Sequence, residues 1–301
     1  MDSIGQMRFF AAVAATMSFS KAAERLGTSA QNVSKNIRAL EDELGVLLLN
    51  RTTRVVTLTE SGRAFLPRCN RLVEDYDELR AVMRDEGGSP AGNLVVTAPL
   101  TFGETHLLGA VEKYLAANPR VTLDLRLTDQ HLSLIDEGID LSIRIGRLQD
   151  STLIARRLGE TRLIACATPS YLQARGVPEH PRDLAGHRCI FDTNRRTPGQ
   201  WIFRDGAETL TVTVNHRVRV NGASAVRQLI LSGEGIGIVP SYIVDEDIRR
   251  GDLKPVLESY EGERLPISAL YLANRHLSRK VRAFIEIAEA EIKACPDWNA
   301  V

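Results

Sequence analysis

Gln31, Lys35 and Arg38 follow one another at intervals of four and three residues, with Ser34 on their flank. That spacing puts an amide and two cations on one side of a helix, and such side chains read base edges and hold phosphates. Val33, Ile37, Leu40 and Leu44 recur at four, three and four, a narrow apolar stripe on the opposite side. The pattern allows recognition of a nucleic-acid groove; it equally describes one arm of an αα-hairpin with a solvated polar face. Bond-making chemistry has less footing. No His, Cys or Ser stands in a nucleophile setting, and the six histidines are dispersed. The run Gly233-Glu234-Gly235-Ile236-Gly237-Ile238 leads into a strand, whereas a dinucleotide fingerprint opens a helix. The four cysteines form no Cys-x-x-Cys pair and have no histidine at ligand spacing, so no catalytic residue, metal or cofactor is expected. Cys166 and Cys189 could form a redox pair, against the plainer reading of small buried cysteines.

The polar face needs a helix pair to hold it. Residues 19–26 read as a first helix with Ser20 as its N-cap and Ala22 and Ala23 leaving room for close approach. Gly27 ends it by accepting the left-handed turn. Thr28 or Ser29 caps the next helix, with Gln31 three places after Thr28 as in a capping box, and Gly45 closes it. This is the outline of a helix-turn-helix. A preceding helix over 3–15, with Ile4, Met7, Ala11 and Ala14 facing the pair and Phe10 beside them, would complete the core. Residues 47–58 give two short β-prone runs around a polar turn holding Arg51 and Arg54, either a wing that reaches phosphates or a plain surface hairpin.

Residues 59–86 read as one long helix in which Phe65, Cys69, Leu72, Tyr76, Leu79 and Met83 alternate by four and three. Such a heptad seam asks for a partner, most simply a second copy, though the helix could also lie on its own domain. Pro67 predicts a kink or a late start. Residues 87–92 are a glycine-rich linker. Beyond them strands and helices alternate, the texture of α/β architecture. Strands are expected over 94–98, 121–128, 140–145, 161–168, 210–220, 235–240 and 267–272. Helices are expected over 99–117, 132–137, from 169, and over 223–232, 241–250 and 278–294, with 178–204 irregular.

With 301 residues the chain has room for two cored domains. Its 38 basic and 38 acidic side chains cancel, so no global field draws a polyanion. Near the helix pair Lys21, Arg25, Lys35, Arg38, Arg51 and Arg54 face Glu24, Glu41, Asp42 and Glu43, a small excess that predicts modest non-specific affinity and dependence on dimerisation. The first residues are neither a signal nor a transit peptide and no apolar run reaches membrane-spanning length, which predicts a cytoplasmic protein without a membrane partner.

The order of these blocks resembles the LysR-type transcriptional regulators over nearly the full chain. The resemblance is carried by residues 19–26 and 33–41, by 48–54 and 58–62, and by 140–146 and 233–240 in the second half. It implies a multidomain fold: an all-α winged helix-turn-helix domain over 1–59, a long linker helix and hinge over 60–91, and a two-lobed α/β effector domain over 92–294. Lobe one would take 92–165 and 265–294, lobe two 166–264, similar to periplasmic solute-binding proteins. The function implied is DNA-binding transcription regulation modulated by a small-molecule effector. Double-stranded DNA, RNA polymerase and a second copy are the implied macromolecular partners, with a homodimer through residues 60–86 and a homotetramer beyond it.

By the same resemblance Ser20, Lys21, Ala30, Gln31, Ser34, Lys35 and Arg38 belong to the DNA-binding surface, with Arg51 and Arg54 in the wing. Many relatives carry Gln-Pro where this chain has Ala30 and Gln31, so their half-site preference does not transfer. The implied effector pocket, for a small ligand such as a carboxylate, draws on Leu100, Thr101, Phe102, Thr128, Arg144, Gly146, Phe203, Asn221 and Ser224, with the Thr101 hydroxyl facing the anion. Each has a local alternative: Thr101 as a helix cap, Arg144 in a salt bridge, Phe203 in the core. A transport-type solute receptor and an enzyme are the competing classes.

Overall fold

The structure, a computed structural model, describes residues 2–51, 56–83, 89–130, 132–148, 153–195, 197, 199–273 and 277–294. Helix α1 (Ser3–Thr16) is capped by Asp2, which accepts from the Gly5 amide at 3.0 Å. Helix α2 (Phe19–Arg25) is capped by Ser18, whose hydroxyl accepts from the Lys21 amide at 3.4 Å. Ser20 therefore lies inside the first turn, exposed, and is not the cap expected from the sequence. Helix α3 (Ala30–Leu44) is capped by Ser29, which accepts from the Asn32 amide at 3.2 Å, so the Thr28–Gln31 capping box is replaced by a cap one residue later. Gly27 and Gly45 have φ of 62° and 69°, the left-handed conformation that ends a helix without a Cβ penalty.

Phe10, Val13, Ala22, Val33 and Ile37 are wholly buried at the centre of this unit. Ala22 and Ala23 leave little side chain between the helices. The buried side of α1 is Phe9, Phe10, Ala12, Val13 and Ala14, while Ile4, Met7 and Ala11 are only half-buried, because α1 packs against α4 as well as the helix pair. Leu44, expected in the apolar stripe, is 39% exposed in the last turn of α3.

Strands β1 (Leu49–Arg51) and β2 (Val56–Leu58) pair antiparallel. Helix α4 (Glu60–Met83) starts directly after them and contains Pro67, so the late start allowed for in the sequence does not occur. Thr59 ties the two together: its hydroxyl donates to the Leu47 carbonyl at 2.7 Å and accepts from the Gly62 amide at 2.9 Å. A Cβ on Gly62 would lie 2.0 Å from the Leu48 carbonyl oxygen. Gly62→Ala is therefore expected to cost about 1–3 kcal/mol by overpacking; an unchanged urea midpoint would contradict that contact.

The second half begins with β3 (Gly92–Ala98), followed by α5 (Leu100–Phe102), a π-turn over Gly103–Leu107 and α6 (Leu108–Ala117). Strands β4 (Val121–Leu127) and β5 (Leu141–Ile145) flank β3 in parallel. Residues 134–138 form turns where a short helix was expected. The 15-residue strand β6 (Leu153–Ala167) is longer than the sequence suggested. Then come α7 (Pro169–Arg175), a 3-10 turn over Pro181–Gly186, and β7 (Cys189–Asp192). Strands β8 (Gln200–Asp205), β9 (Glu208–Thr213) and β10 (His216–Val220) lead to α8 (Ala223–Leu231) and β11 (Ile236–Pro240). Strands β7 and β8 fall within the stretch read as irregular. Helix α9 (Ser241–Arg250), short strands β12 (Lys254–Pro255) and β13 (Glu261–Gly262), β14 (Arg264–Leu272) and α10 (Arg279–Ala294) complete the chain.

One sheet runs β10-β7-β11-β6-β14-β5-β3-β4. Strand β6 pairs with β14 through Arg162 and with β11 from Leu163 onward, so β6 and the 262–264 segment are the crossings between two lobes. The first lobe packs Leu94, Val96, Phe102, Leu141 and Ile143 under Phe284 and Ile285 of α10. The second has its own core, with Trp201, Leu184 and Ile236 wholly buried.

Candidate nucleic-acid interface and effector cleft

Helix α3 sorts its side chains by physical role. Val33, Ile37 and Leu40 are buried, whereas Gln31, Lys35 and Arg38 are exposed in one row. Among the described residues neither Lys35 nor Arg38 has an ion-pair partner, so both cations face water. Ser34 and Ala30 are half-buried, and Ala30 packs against the helical core. Ser20 and Lys21 are exposed on α2. A polar ladder stiffens the flank of α3: the Asn32 amide group donates to the Thr28 hydroxyl at 2.9 Å, and that of Asn36 donates to the Asn32 side-chain oxygen at 3.0 Å. Arg51 closes β1, but its side chain and residues 52–55, Arg54 among them, lie outside the described residues.

In the sequence Glu41 counts among the charges that oppose DNA. In the structure it is 5% exposed, and one oxygen accepts from the Leu48 and Leu49 amides at 2.9 and 3.1 Å. Its charge is spent inside, clamping α3 to the base of the hairpin.

Helix α4 uses its apolar seam in two ways. Phe65 meets Phe10 at a 49° tilt with ring centroids 5.7 Å apart, and Cys69 is wholly buried in the domain core. Farther along, Leu72 and Leu79 are 48% and 56% exposed, with Tyr76 half-buried between them. The seam thus belongs to the chain's own core at its start and is open afterwards; the Met83 side chain lies outside the described residues. Arg68 reaches Asp136 of the second half at 2.8 Å.

Between the lobes, Asp129 is the hub. It follows β4 and accepts from the Leu100 amide at 3.1 Å and from the Asn194 side chain, across the cleft, at 3.3 Å. Asn194 also donates to the Asn221 carbonyl at 2.8 Å. Thr128 accepts from the Gln130 amide at 3.1 Å, and Arg144, 8% exposed, donates to the Gln130 carbonyl at 2.9 Å. Burial pulls the Arg144 guanidinium down and Asp129 pushes it back up. Gly146 takes φ of 116° beside this strand end. Phe102, wholly buried, meets Tyr242 of α9 edge-on at 5.6 Å, and His106 meets the same ring at 5.1 Å, an aromatic contact across the lobes. Burial raises the Tyr242 hydroxyl above its ordinary range, and Asp129 and Asp192 raise it further.

Asp192, at the end of β7, is likewise pushed up by burial, with the Asn194 amide opposing the rise and Asp129 adding to it. Arg195 lies 3.7 Å from Glu263, and among the described residues its buried Nη1 has no hydrogen-bond partner. Arg147 approaches the same carboxylate at 3.8 Å. The structure therefore brings Leu100, Thr128, Arg144 and Asn221 to one cleft, with Phe102 wholly buried behind it in the first lobe's core. Thr101 is half-buried at the edge of the cleft and Ser224 is exposed on α8. Phe203 joins neither: it is 2% exposed in the core of the second lobe. Asp129, Asp192, Asn194, Arg195 and Tyr242 were not singled out in the sequence. The available signal was their position at the carboxyl ends of strands and the turns beyond, where open α/β sheets bind ligands.

Cys166 and Cys189 are free, and β11 runs between their strands. Two strand spacings place them roughly 10 Å apart, beyond disulfide reach. Burial pushes the thiols of Cys69, Cys166 and Cys189 up to about 12. None of these three should react with Ellman's reagent at pH 8 in the native state and all should react once denatured; native labelling mapped to any of them would contradict the burial. Cys295 lies outside the described residues. Among the described residues no group of three or more His, Cys, Asp or Glu could hold a metal ion, and no helix is long and apolar enough to cross a membrane.

Comparison with known proteins agrees with this geometry. Residues 4–63 match the bacterial regulatory helix-turn-helix protein model of the lysR family, and residues 87–293 match the LysR substrate binding domain. The chain is 36% identical to the HTH-type transcriptional regulator PtxR of Pseudomonas aeruginosa, over 94% of this chain and 91% of that one. Among solved structures, CrgA, a LysR-type transcriptional regulator from Neisseria meningitidis, superposes with a TM-score of 0.62 at 30% identity, covering 96% and 98% of the two chains. The full-length virulence activator AphB of Vibrio cholerae gives 0.60 at 26% identity, covering 96% and 99%. The chain belongs to the LysR family, as a sequence-specific DNA-binding transcription regulator with an effector-responsive C-terminal domain.

Proposed function

We propose that α3 enters the major groove with Gln31, Lys35 and Arg38 outward, flanked by Lys21 and Ser20, while the hairpin carrying Arg51 and Arg54 touches the backbone or minor groove. The observation that carries this reading is the exposed row of one amide and two cations on a helix whose other face is core. Ala30 and Ser34, half-buried, shape the contact from the flank. Gln31 suits a bidentate contact to adenine and Lys35 one to guanine, each worth ~1–3 kcal/mol of discrimination. Gln31→Ala should change the order of preference across a library of binding sites; unchanged relative affinities would overturn the assignment.

Two copies pair through residues 60–86, with Leu72 and Leu79 in the seam, and dimers pair again on a two-part site. A small effector enters the interlobe cleft and shifts the packing around Asp129, Asn194 and Tyr242. That shift re-spaces the DNA-binding pairs, alters DNA bending and changes contact with RNA polymerase. Asp129 already occupies the Leu100 amide, so an acidic effector has Arg195 as its open donor and Arg144 as a nearby cation, with Thr101 at the rim. Thr101→Val and Arg195→Gln should each abolish the effect of an activating carboxylate on DNA affinity. A full response in both would refute a carboxylate in this cleft. The protein works in the cytoplasm as a regulator and carries out no catalysis.

A further inference from the structure

A second cavity, of about 160 Å³, lies in the second lobe against the crossing strands. Gly262 and Arg264 line it, while Glu263 between them pairs with Arg147 and Arg195 at the cleft. Successive side chains of an extended segment point to opposite sides, so one strand separates this cavity from the interlobe cleft. Its apolar wall is Leu163, Phe203, Val256 and Leu257, all buried. The floor requires glycine: a Cβ on Gly262 would stand 1.9 Å from the Leu163 carbonyl oxygen. Leu257 holds φ of 61°, a left-handed conformation that costs a leucine free energy and is retained where the surroundings impose it, often at ligand sites.

The polar wall sets two guanidiniums, Arg162 and Arg264, against one carboxylate, Glu258. Arg162 and Arg264 are direct cross-strand partners on β6 and β14, an arrangement that is destabilising by itself. Their counter-charges are Glu160, 3.0 Å from Arg264, with Asp245 and the exposed Glu258 acting on Arg162. These carboxylates do not fully compensate: burial, helped by Arg264, still holds the Arg162 guanidinium below its ordinary value. Two guanidiniums beside a buried apolar wall complement an anion with an apolar body. A void of this size accommodates a six-membered ring or a branched alkyl group, and paired guanidiniums suit a carboxylate geometrically.

We propose that this cavity is a small-molecule site distinct from the interlobe cleft, taking a monocarboxylate with a branched aliphatic or single-ring body, its carboxylate held between Arg162 and Arg264. Because the 262–264 segment borders both sites, a ligand here stiffens one of the two crossings on which lobe movement depends. The site therefore tunes the response to an effector bound in the cleft. It stands independently of the ligand class assigned to that cleft.

The test is titration calorimetry on the full chain with three matched probes: 4-methylpentanoate, leucine (the same skeleton with an added ammonium) and 4-methylpentan-1-ol (the same skeleton without charge). Saturable binding of 4-methylpentanoate is expected, with leucine and the alcohol weaker by at least about tenfold. Arg264→Gln should weaken 4-methylpentanoate by about tenfold or more with an unchanged melting temperature, since this side chain is half exposed. Arg162→Lys is the second variant should the first fail to fold. Thr101→Val, in the cleft, should leave the affinity as it was. No binding up to about 10 mM, equal binding of leucine or the alcohol, full affinity in Arg264→Gln, or loss in Thr101→Val would each overturn the assignment.

Discussion

Replacing Leu72 and Leu79 together by aspartate is expected to give a folded monomer whose affinity for its operator falls by at least ~100-fold. The two leucines stand seven residues apart, 48% and 56% exposed, on the part of α4 that its own domain does not cover. Paired with a second copy they would bury four leucines, each contributing about 1.5–3 kcal/mol, and a seven-residue spacing is that of a coiled-coil seam. Two aspartates remove that contribution and place four like charges in the interface. The domain itself should survive, because Phe65 and Cys69 hold the start of α4 in its core. Light scattering with size exclusion and anisotropy on labelled DNA would read both effects; a persistent dimer would contradict the seam.

The second large effect belongs to Glu41. Glu41→Ala leaves the Leu48 and Leu49 amides buried without their acceptor. At about 1–3 kcal/mol per unsatisfied group, the N-terminal unit should lose on the order of 2–6 kcal/mol, a large share of a small domain's stability. DNA affinity should fall as well, although Glu41 faces away from the reading surface, because the hairpin is no longer fixed to α3. Glu41→Gln keeps an acceptor oxygen and should be intermediate. Hydrogen exchange at the two amides reports the clamp directly, and unchanged protection in Glu41→Ala would refute it.

The N-terminal unit was legible because its signals are local. Gly27 and Gly45 mark helix ends by a conformation that glycine favours, and Val33, Ile37 and Leu40 carry their own period. The errors there are short-range: Ser18 and Ser20 are both hydroxyls one residue from Phe19, and only geometry shows which accepts from the Lys21 amide. The seam of α4 was visible as a period, but a period does not say what covers it. Phe65 and Cys69 are covered by the chain itself, Leu72 and Leu79 are open. In the second half, β6 starts well before the expected residue 161 because Arg156, Arg157, Gly159 and Glu160 carry no apolar alternation, whereas in the sheet β14 pairs along them. Strand β7 is four residues with no alternation to betray it. The cleft was the least legible part. Asp129 and Asn194 meet from positions 65 residues apart, and neither has a local pattern that marks it as a partner of the other.

The proposed reading of DNA by α3 within a symmetric assembly is tested most directly by a DNase footprint of the purified full chain on the DNA upstream of its own gene, taken across a salt series. The predicted result is a long protected region in two parts with dyad symmetry, weakening as salt rises and lost in the Lys35→Ala, Arg38→Ala double variant. Absence of protection at every salt concentration, or an unaltered footprint with the double variant, would contradict it.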